Sequence, residues 1–254
     1  VDPGELAEIA ATARRLGLRL HSHLSENEGY AAFTLARDGK RPVFWLADKG
    51  WLGPDVWFAH LVDLGPDEVG LLAATGTTMA HCPQANARLG SGIAPADRLH
   101  ELGGTVSLAV DGAAANEAAD MGAALYAAVA LHRAGKGVAA VRAETLLHWA
   151  SRGGARALGL PRCGLLLPGM AADIAMIDLS APRCMGLHDL ALAPVLTGAI
   201  NLRHSFVGGR PVVVDGRLPR LDLGALAENA ARTVARLTAA RAAVLSGSPM
   251  TPAT

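Results

Sequence analysis

Four short apolar segments, each closing on a side chain that can hold a metal or move a proton, constrain this chain most. Leu18-Arg19-Leu20 runs into His21-Ser22-His23, and Val56-Trp57-Phe58-Ala59 into His60. Thr77-Thr78-Met79-Ala80 runs into His81, and the segment 105–110 into Asp111-Gly112. Alternation along the first segment puts His21 and His23 on one side, with Glu26 just past the strand end. Neutral imidazoles are common metal ligands, and a nearby carboxylate can carry protons to and from water. In a barrel of parallel strands, the carboxyl ends are where catalytic groups gather. Four such endings in succession, His23, His60, His81 and Asp111, point to convergence on one site.

The intervals between these segments read as helices. Asp2-Pro3-Gly4-Glu5 has the form of a helix start, with Asp as cap, Pro at the first position and Glu three residues after the cap. Leu6, Ile9, Ala10, Ala13 and Leu16 then share one face, and Gly17 stops the helix. Further helices are expected over 28–38, from Pro42 to about Lys49-Gly50, and from Pro66 to about Thr75-Gly76. A short one is expected over 96–102. Cys82-Pro83 to Pro95 reads as a long loop carrying Asn86, Arg88 and Gly90-Ser91-Gly92. Helix, glycine, strand and polar strand end, repeated, is α/β punctuation.

Beyond Asp111 the character changes. Helices are expected over 118–134, 143–150 and 154–158. Leu165-Leu166-Leu167-Pro168-Gly169-Met170 leads into 173–178, which has a buried-strand signature. A hairpin is expected from Ser205-Phe206-Val207 to Pro211-Val212-Val213-Val214, turning at Gly208-Gly209-Arg210. Asp222 to about Leu245 reads as a last helix, and 246–254 as a disordered tail.

Composition excludes several function classes. The 254 residues are 51% hydrophobic, enough for a large core. Lys plus Arg (23) equals Asp plus Glu (23), which argues against nucleic acid or an anionic membrane as main partner. No apolar run approaches the roughly 18 residues of a membrane span. The three cysteines are too scattered for a disulfide framework or a Cys-x-x-Cys zinc site and suit a reducing compartment, the cytoplasm. The chain opens on Val1 with a helix signal at once, like the middle of a longer protein.

His23-Leu24-Ser25-Glu26, then His60, then Asp111-Gly112 resembles the second half of the amidohydrolase superfamily, in its cytosine and guanine deaminase and chlorohydrolase branch. The stretches 50–60 and His81-Cys82-Pro83 to Gly92 most closely resemble bacterial 8-oxoguanine deaminases. Leu167-Pro168-Gly169-Met170-Ala171-Ala172-Asp173 is similar to the return of that superfamily's chain into its small β-sandwich domain.

The resemblance implies an α/β fold: the C-terminal half of a (β/α)8 metal-dependent hydrolase barrel over 1–160 (strands five to eight). Part of a small β-sandwich over 161–220, a helix over 221–245 and a tail would follow. It implies one divalent metal, zinc with Fe2+ as the alternative, held by His23 and Asp111. Glu26 would shuttle protons to the ring nitrogen and leaving amine. His60 would orient water or polarise the substrate, and Asp111 counts with both as catalytic. His81, Asn86 and Arg88 would face a small heteroaromatic substrate, 8-oxoguanine first. Neither nucleic acid nor membrane is expected as partner; further copies of the full-length parent are.

His21-Ser22-His23 mimics the His-x-His of the family's first strand. Placing it on the fifth strand accounts for four strands in order, which makes the chain a fragment and His21 a neighbour rather than a ligand. A triazine aminohydrolase or chlorohydrolase is the alternative within enzymes. A relative that keeps the fold but binds no metal is the alternative outside them. His100, His132, His148, His188 and His204 read as structural or solvated. Trp45, Trp51 and Trp57 read as core, and Asn116 as a helix cap.

Overall fold

A computed structural model of the chain describes residues 2–116 and 118–246. Most of the stretch read as a tail therefore lies outside the described residues.

The first half alternates helices and strands. Helix α1 (Pro3–Arg15) starts where Asp2 accepts from the Gly4 and Glu5 amides at 2.7 and 3.4 Å. Strand β1 (Leu20–Leu24), α2 (Glu28–Asp38), α3 (Pro42–Ala47) and β2 (Val56–His60) follow. Next come α4 (Pro66–Thr75), β3 (Thr78–His81), α5 (Pro83–Leu89), α6 (Ala96–Glu101) and β4 (Val106–Leu108). Gly39, Gly76 and Gly90 end α2, α4 and α5 in the left-handed region, at φ 68°, 72° and 74°.

The four strands form one parallel sheet in chain order, β1-β2-β3-β4. Its register pairs His23 with Ala59, Phe58 with Met79, Ala80 with Ser107 and His81 with Leu108. Leu20, Leu24, Val56, Phe58, Met79, Val106 and Leu108 therefore share the face that is buried under the helices. His21, His23 and Trp57 share the other. Burying such side chains is worth roughly 1.5–3 kcal/mol each, so the register is firmly set. Glu68 of α4 is buried too. It accepts from the Gly65 amide at 2.8 Å and the Val43 amide at 3.3 Å, and pairs with Arg41 at 2.6 Å.

Two expectations change here. The long loop after Cys82 contains α5, started by Pro83. Strand β4 stops at Leu108, so Asp111 stands three residues beyond it rather than at its end.

Helices α7 (Ala113–Asn116), α8 (Met121–Lys136) and α9 (Ala143–His148) follow. The last continues through a π-turn (Trp149–Gly153) into α10 (Gly154–Ala157), where two separate helices were expected. Gly153 explains the turn's place against the sheet. A Cβ there would overlap the Val106 carbonyl oxygen, which belongs to the backbone of β4. Gly153→Ala is expected to cost at least the roughly 1–3 kcal/mol typical of overpacking. A lowered urea midpoint is the measurement. Unchanged stability would mean that the turn does not lean on β4.

The remainder holds β5 (Ile174–Ile177), α11 (Ala193–Leu196), β6 (Leu202–Val207), β7 (Arg210–Val213) and α12 (Leu223–Leu245). Strands β5-β6-β7 make an antiparallel sheet with the expected hairpin. The buried-strand reading of 173–178 is corrected: Ala175 and Met176 are exposed, because no second layer covers this sheet among the described residues. No helix among them is long and apolar enough to cross a membrane.

Candidate functional site

The exits of β1, β2 and β4 carry strained backbone. Four of the six non-glycine residues with positive φ among those described are Ser25 (48°), His60 (72°), Leu61 (52°) and Asp111 (64°). Such residues cost of order 1–3 kcal/mol each and persist only where the surroundings hold them. Here the loop after β2 is stapled to the loop after β1. The Leu61 amide donates to the Leu24 carbonyl at 3.0 Å, and the Val62 and Asp63 amides donate to the Ser25 carbonyl at 2.8 and 2.9 Å.

The strain re-aims side chains. Alternation from Val56 and Phe58 would send His60 into the helix layer. Its backbone instead leaves the extended region, and its ring centre lies 5.1 Å from that of His23. One donor atom each from His23, His60 and Asp111 then lies within 4.8 Å of the others. Glu26 Oε2 is 3.9 Å from His60 Nε2, and its side chain is only 20% exposed. His21 is not one of the three, although its ring centre lies 6.0 Å from that of His23. It stacks on Trp57 at 4.9 Å, with Nδ1 3.2 Å from the Trp57 carbonyl oxygen.

Helix α5 braces two walls of this cluster. Asn86, fully buried, places Oδ1 2.8 Å from His60 Nδ1. Gln84 Nε2 donates to the Asn116 carbonyl at 3.2 Å, and Arg88 Nη1 to the Ala115 carbonyl at 3.2 Å. Both grip the segment after Asp111. Asn116 does more than cap: its amide Nδ2 donates to the Val110 carbonyl, while Oδ1 accepts from the Ala118 and Ala119 amides. Cys82 lies in the floor. Burial pushes its thiol up to about 12, and the carboxylates of Asp111 and Glu26 add to the rise. It stays protonated at neutral pH.

Of the residues expected at a substrate, His81 is elsewhere. It shares β3's buried face with Met79 and packs on His132 and Trp149, with ring centres 5.2 and 6.2 Å away. Its Nε2 lies 3.2 Å from His132 Nε2, and His132 Nδ1 lies 3.7 Å from Asp97, which binds Lys136 at 2.6 Å. The same cluster takes in His100, whose Nδ1 accepts from Trp149 Nε1 at 3.3 Å. His132 was legible as core-facing from its spacing to Leu125, Ala128 and Val129. Nothing in the sequence pairs it with His81.

Burial, then His132 and His60, push His81 down to about 3. The unfolded chain, with an ordinary value near 6.5, therefore binds the extra proton between about pH 3 and 6.5. Stability from this group is complete above that window and is lost as pH falls through it. Going from pH 6.5 to 5 should cost about 2 kcal/mol. Urea titrations at the two pH values measure it, and His81→Asn should flatten the dependence. An equal slope in that variant would assign the acid sensitivity to other groups.

The amidohydrolase family pattern matches residues 1–216. The chain is 44% identical over 253 residues to an isoxanthopterin deaminase from an unknown prokaryotic organism, covering 93% of this chain and 52% of that protein. It is 39% identical over 247 residues to the 8-oxoguanine deaminase of Pseudomonas aeruginosa, covering 97% and 54%. The crystal structure of an adenosine deaminase from Xanthomonas campestris with bound zinc superposes with a TM-score of 0.89 at 29% identity, over 94% of this chain and 55% of that one. The chain thus spans about half the length of the curated relatives it matches. A match over 216 residues that takes in β1 to β4 and all the strand exits that carry His23, His60 and Asp111 places the chain in the amidohydrolase family.

Proposed function

We propose that the chain is the C-terminal half of a metal-dependent aminohydrolase of the (β/α)8 class that deaminates a fused, purine- or pterin-like heterocycle. The meeting of His23, His60 and Asp111 beside Glu26 carries this reading. In it, β1 to β4 are strands five to eight of the barrel, and β5 to β7 belong to the small β-domain.

The donor set fits a borderline ion such as zinc. Zinc bonds of about 2.0–2.2 Å put two donors on one ion no more than about 4.4 Å apart. The observed spread of up to 4.8 Å is close to that without any rearrangement of the strands. His23 and Asp111 would hold the ion, with His60 Nε2 on the same side. When bound, a divalent ion supplies a hydroxide nucleophile near neutral pH.

The chain's own residues handle the protons. Replacing an exocyclic amine by a carbonyl takes one water and releases one ammonia. Glu26 accepts a first proton from the attacking water and delivers it to the ring nitrogen, then takes the second from the hydroxyl that attack leaves on the carbon and delivers it to the departing amine as the carbonyl forms. His60, next to Glu26 and almost fully enclosed, orients the water or polarises the ring. Asn86 and Arg88 sit behind His60 and the Asp111 segment, so they shape the site rather than read the ring edge. The free cysteines Cys82, Cys163 and Cys184 fit a reducing cytoplasm.

8-Oxoguanine is our first substrate, and isoxanthopterin, named for the 44%-identical relative, is the second. The test is ammonia release by the full-length protein from 8-oxoguanine, isoxanthopterin, guanine and a triazine amine. Turnover of either of the first two supports the reading. Turnover of the triazine alone, or of none with zinc bound, overturns it.

A further inference from the structure

We propose that Asn86 is a positioning residue that holds His60 as the Nδ1–H form and so leaves Nε2 as its one working nitrogen. The proposal rests on the reading of His23, His60, Asp111 and Glu26 as an active site. Its evidence is local to His60.

The bond is short, 2.8 Å, and both partners are enclosed, Asn86 at 0% and His60 at 1% exposure. Solvent therefore offers Nδ1 no substitute acceptor. The Asn86 backbone is fixed from both sides: its amide donates to the Cys82 carbonyl at 2.9 Å, and its carbonyl accepts from the Ser91 amide at 2.8 Å. Among the described residues, the buried Asn86 amide nitrogen Nδ2 has no hydrogen-bond partner. An orphaned buried donor costs about 1–3 kcal/mol. An apolar side chain here would instead orphan His60 Nδ1, so the amide's one bond is made to the ring.

The orientation of the amide follows from the other end of the ring. His60 Nε2 faces Glu26 at 3.9 Å, and one His60 ring nitrogen counts among the three converging donors. Nδ1 is engaged by Asn86, so that atom is Nε2, and orienting the water by accepting from it needs the Nε2 lone pair. Oδ1 toward Nδ1 keeps the proton on Nδ1 and Nε2 open. The reversed amide would donate into Nδ1, drive the proton onto Nε2 and leave it unable to accept from the water. Hydrogen bonding of the second ring nitrogen is the general means of fixing imidazole tautomer and orientation at such sites. Because α5 also grips the segment after Asp111 through Gln84 and Arg88, one helix sets two walls of the site.

The test is two-bond 1H–15N correlation of the histidine rings in the full-length protein, wild type beside Asn86→Leu and Asn86→Asp. Wild type should show His60 protonated at Nδ1. Asn86→Asp, which keeps an acceptor, should retain that signature. Asn86→Leu should lose it, with kcat lower by about 10–100-fold and KM little changed. The wild-type measurement needs no variant, so a poorly folding Asn86→Leu does not shield the proposal. Wild-type His60 protonated at Nε2 alone would overturn it, as would an Asn86→Leu protein with an unchanged His60 signature. The signature is read without turnover. A protein that keeps it yet deaminates none of the heterocycles would refute the proposed function and leave the role of Asn86 standing.

Discussion

Glu26→Gln in the full-length protein is expected to lower kcat by about 10²–10⁴-fold while leaving the metal content unchanged. Glutamine keeps the size and hydrogen-bonding reach of the side chain but cannot carry the proton. Glu26 lies outside the three converging donors, 3.9 Å from His60 Nε2, so its loss should spare the metal. His23→Ala should behave differently. It removes one of those donors, so bound zinc and turnover should fall together. Metal analysis beside ammonia release separates the two variants. Wild-type turnover in Glu26→Gln would remove the proton-transfer role, whatever its zinc content.

Residues 1–254 alone are expected to release no measurable ammonia and to hold zinc weakly, and joining them to an upstream half should restore both. Among the described residues three donors converge, and His60 is needed beside the substrate. His23 and Asp111 by themselves fall short of the three protein ligands of an ordinary catalytic zinc. The parallel sheet also ends on β1 and β4, each paired on one side only among the described residues. Such edges offer unpaired backbone groups to other chains. Ile9, Leu16, Leu18 and Phe33, close to β1 in the chain, are exposed, as are Leu226, Val234 and Leu237 along α12. Apolar surface on that scale promotes association. Sedimentation, zinc stoichiometry and ammonia release on the purified chain decide the matter. A monomer with one tightly held zinc and steady deamination would refute the half-barrel reading and bring His21 back as a ligand.

Much of the local structure was legible because its causes are local. Asp2 and Pro3 start α1, and Gly39 and Gly76 stop α2 and α4 where a left-handed residue is required. The strands of the parallel sheet follow from short apolar runs between such signals, and the same runs bring His23, His60 and Asp111 to one end of it. Short or context-dependent pieces were not legible. Helix α5 has only seven residues, too few for a clear period, and its polar Gln84, Asn86 and Arg88 read as loop. Strand β5 has the residues of a buried strand, but burial depends on a covering layer, which no stretch of four residues encodes.

The sequence by itself determined which chemistries were at hand and at which end of the sheet they would sit. Strand period and chain order are short-range properties, and they suffice for that. Tertiary structure alone decided which way each group points. His60 and His81 end neighbouring strands with similar apolar lead-ins. One turns to His23 and Glu26 because its backbone is held at φ 72° and Asn86 secures its ring. The other keeps the regular alternation of β3 and is shut into the helix layer against His132. That difference arises from contacts between residues 26 and 51 positions apart, and no local pattern of apolar and polar residues records it.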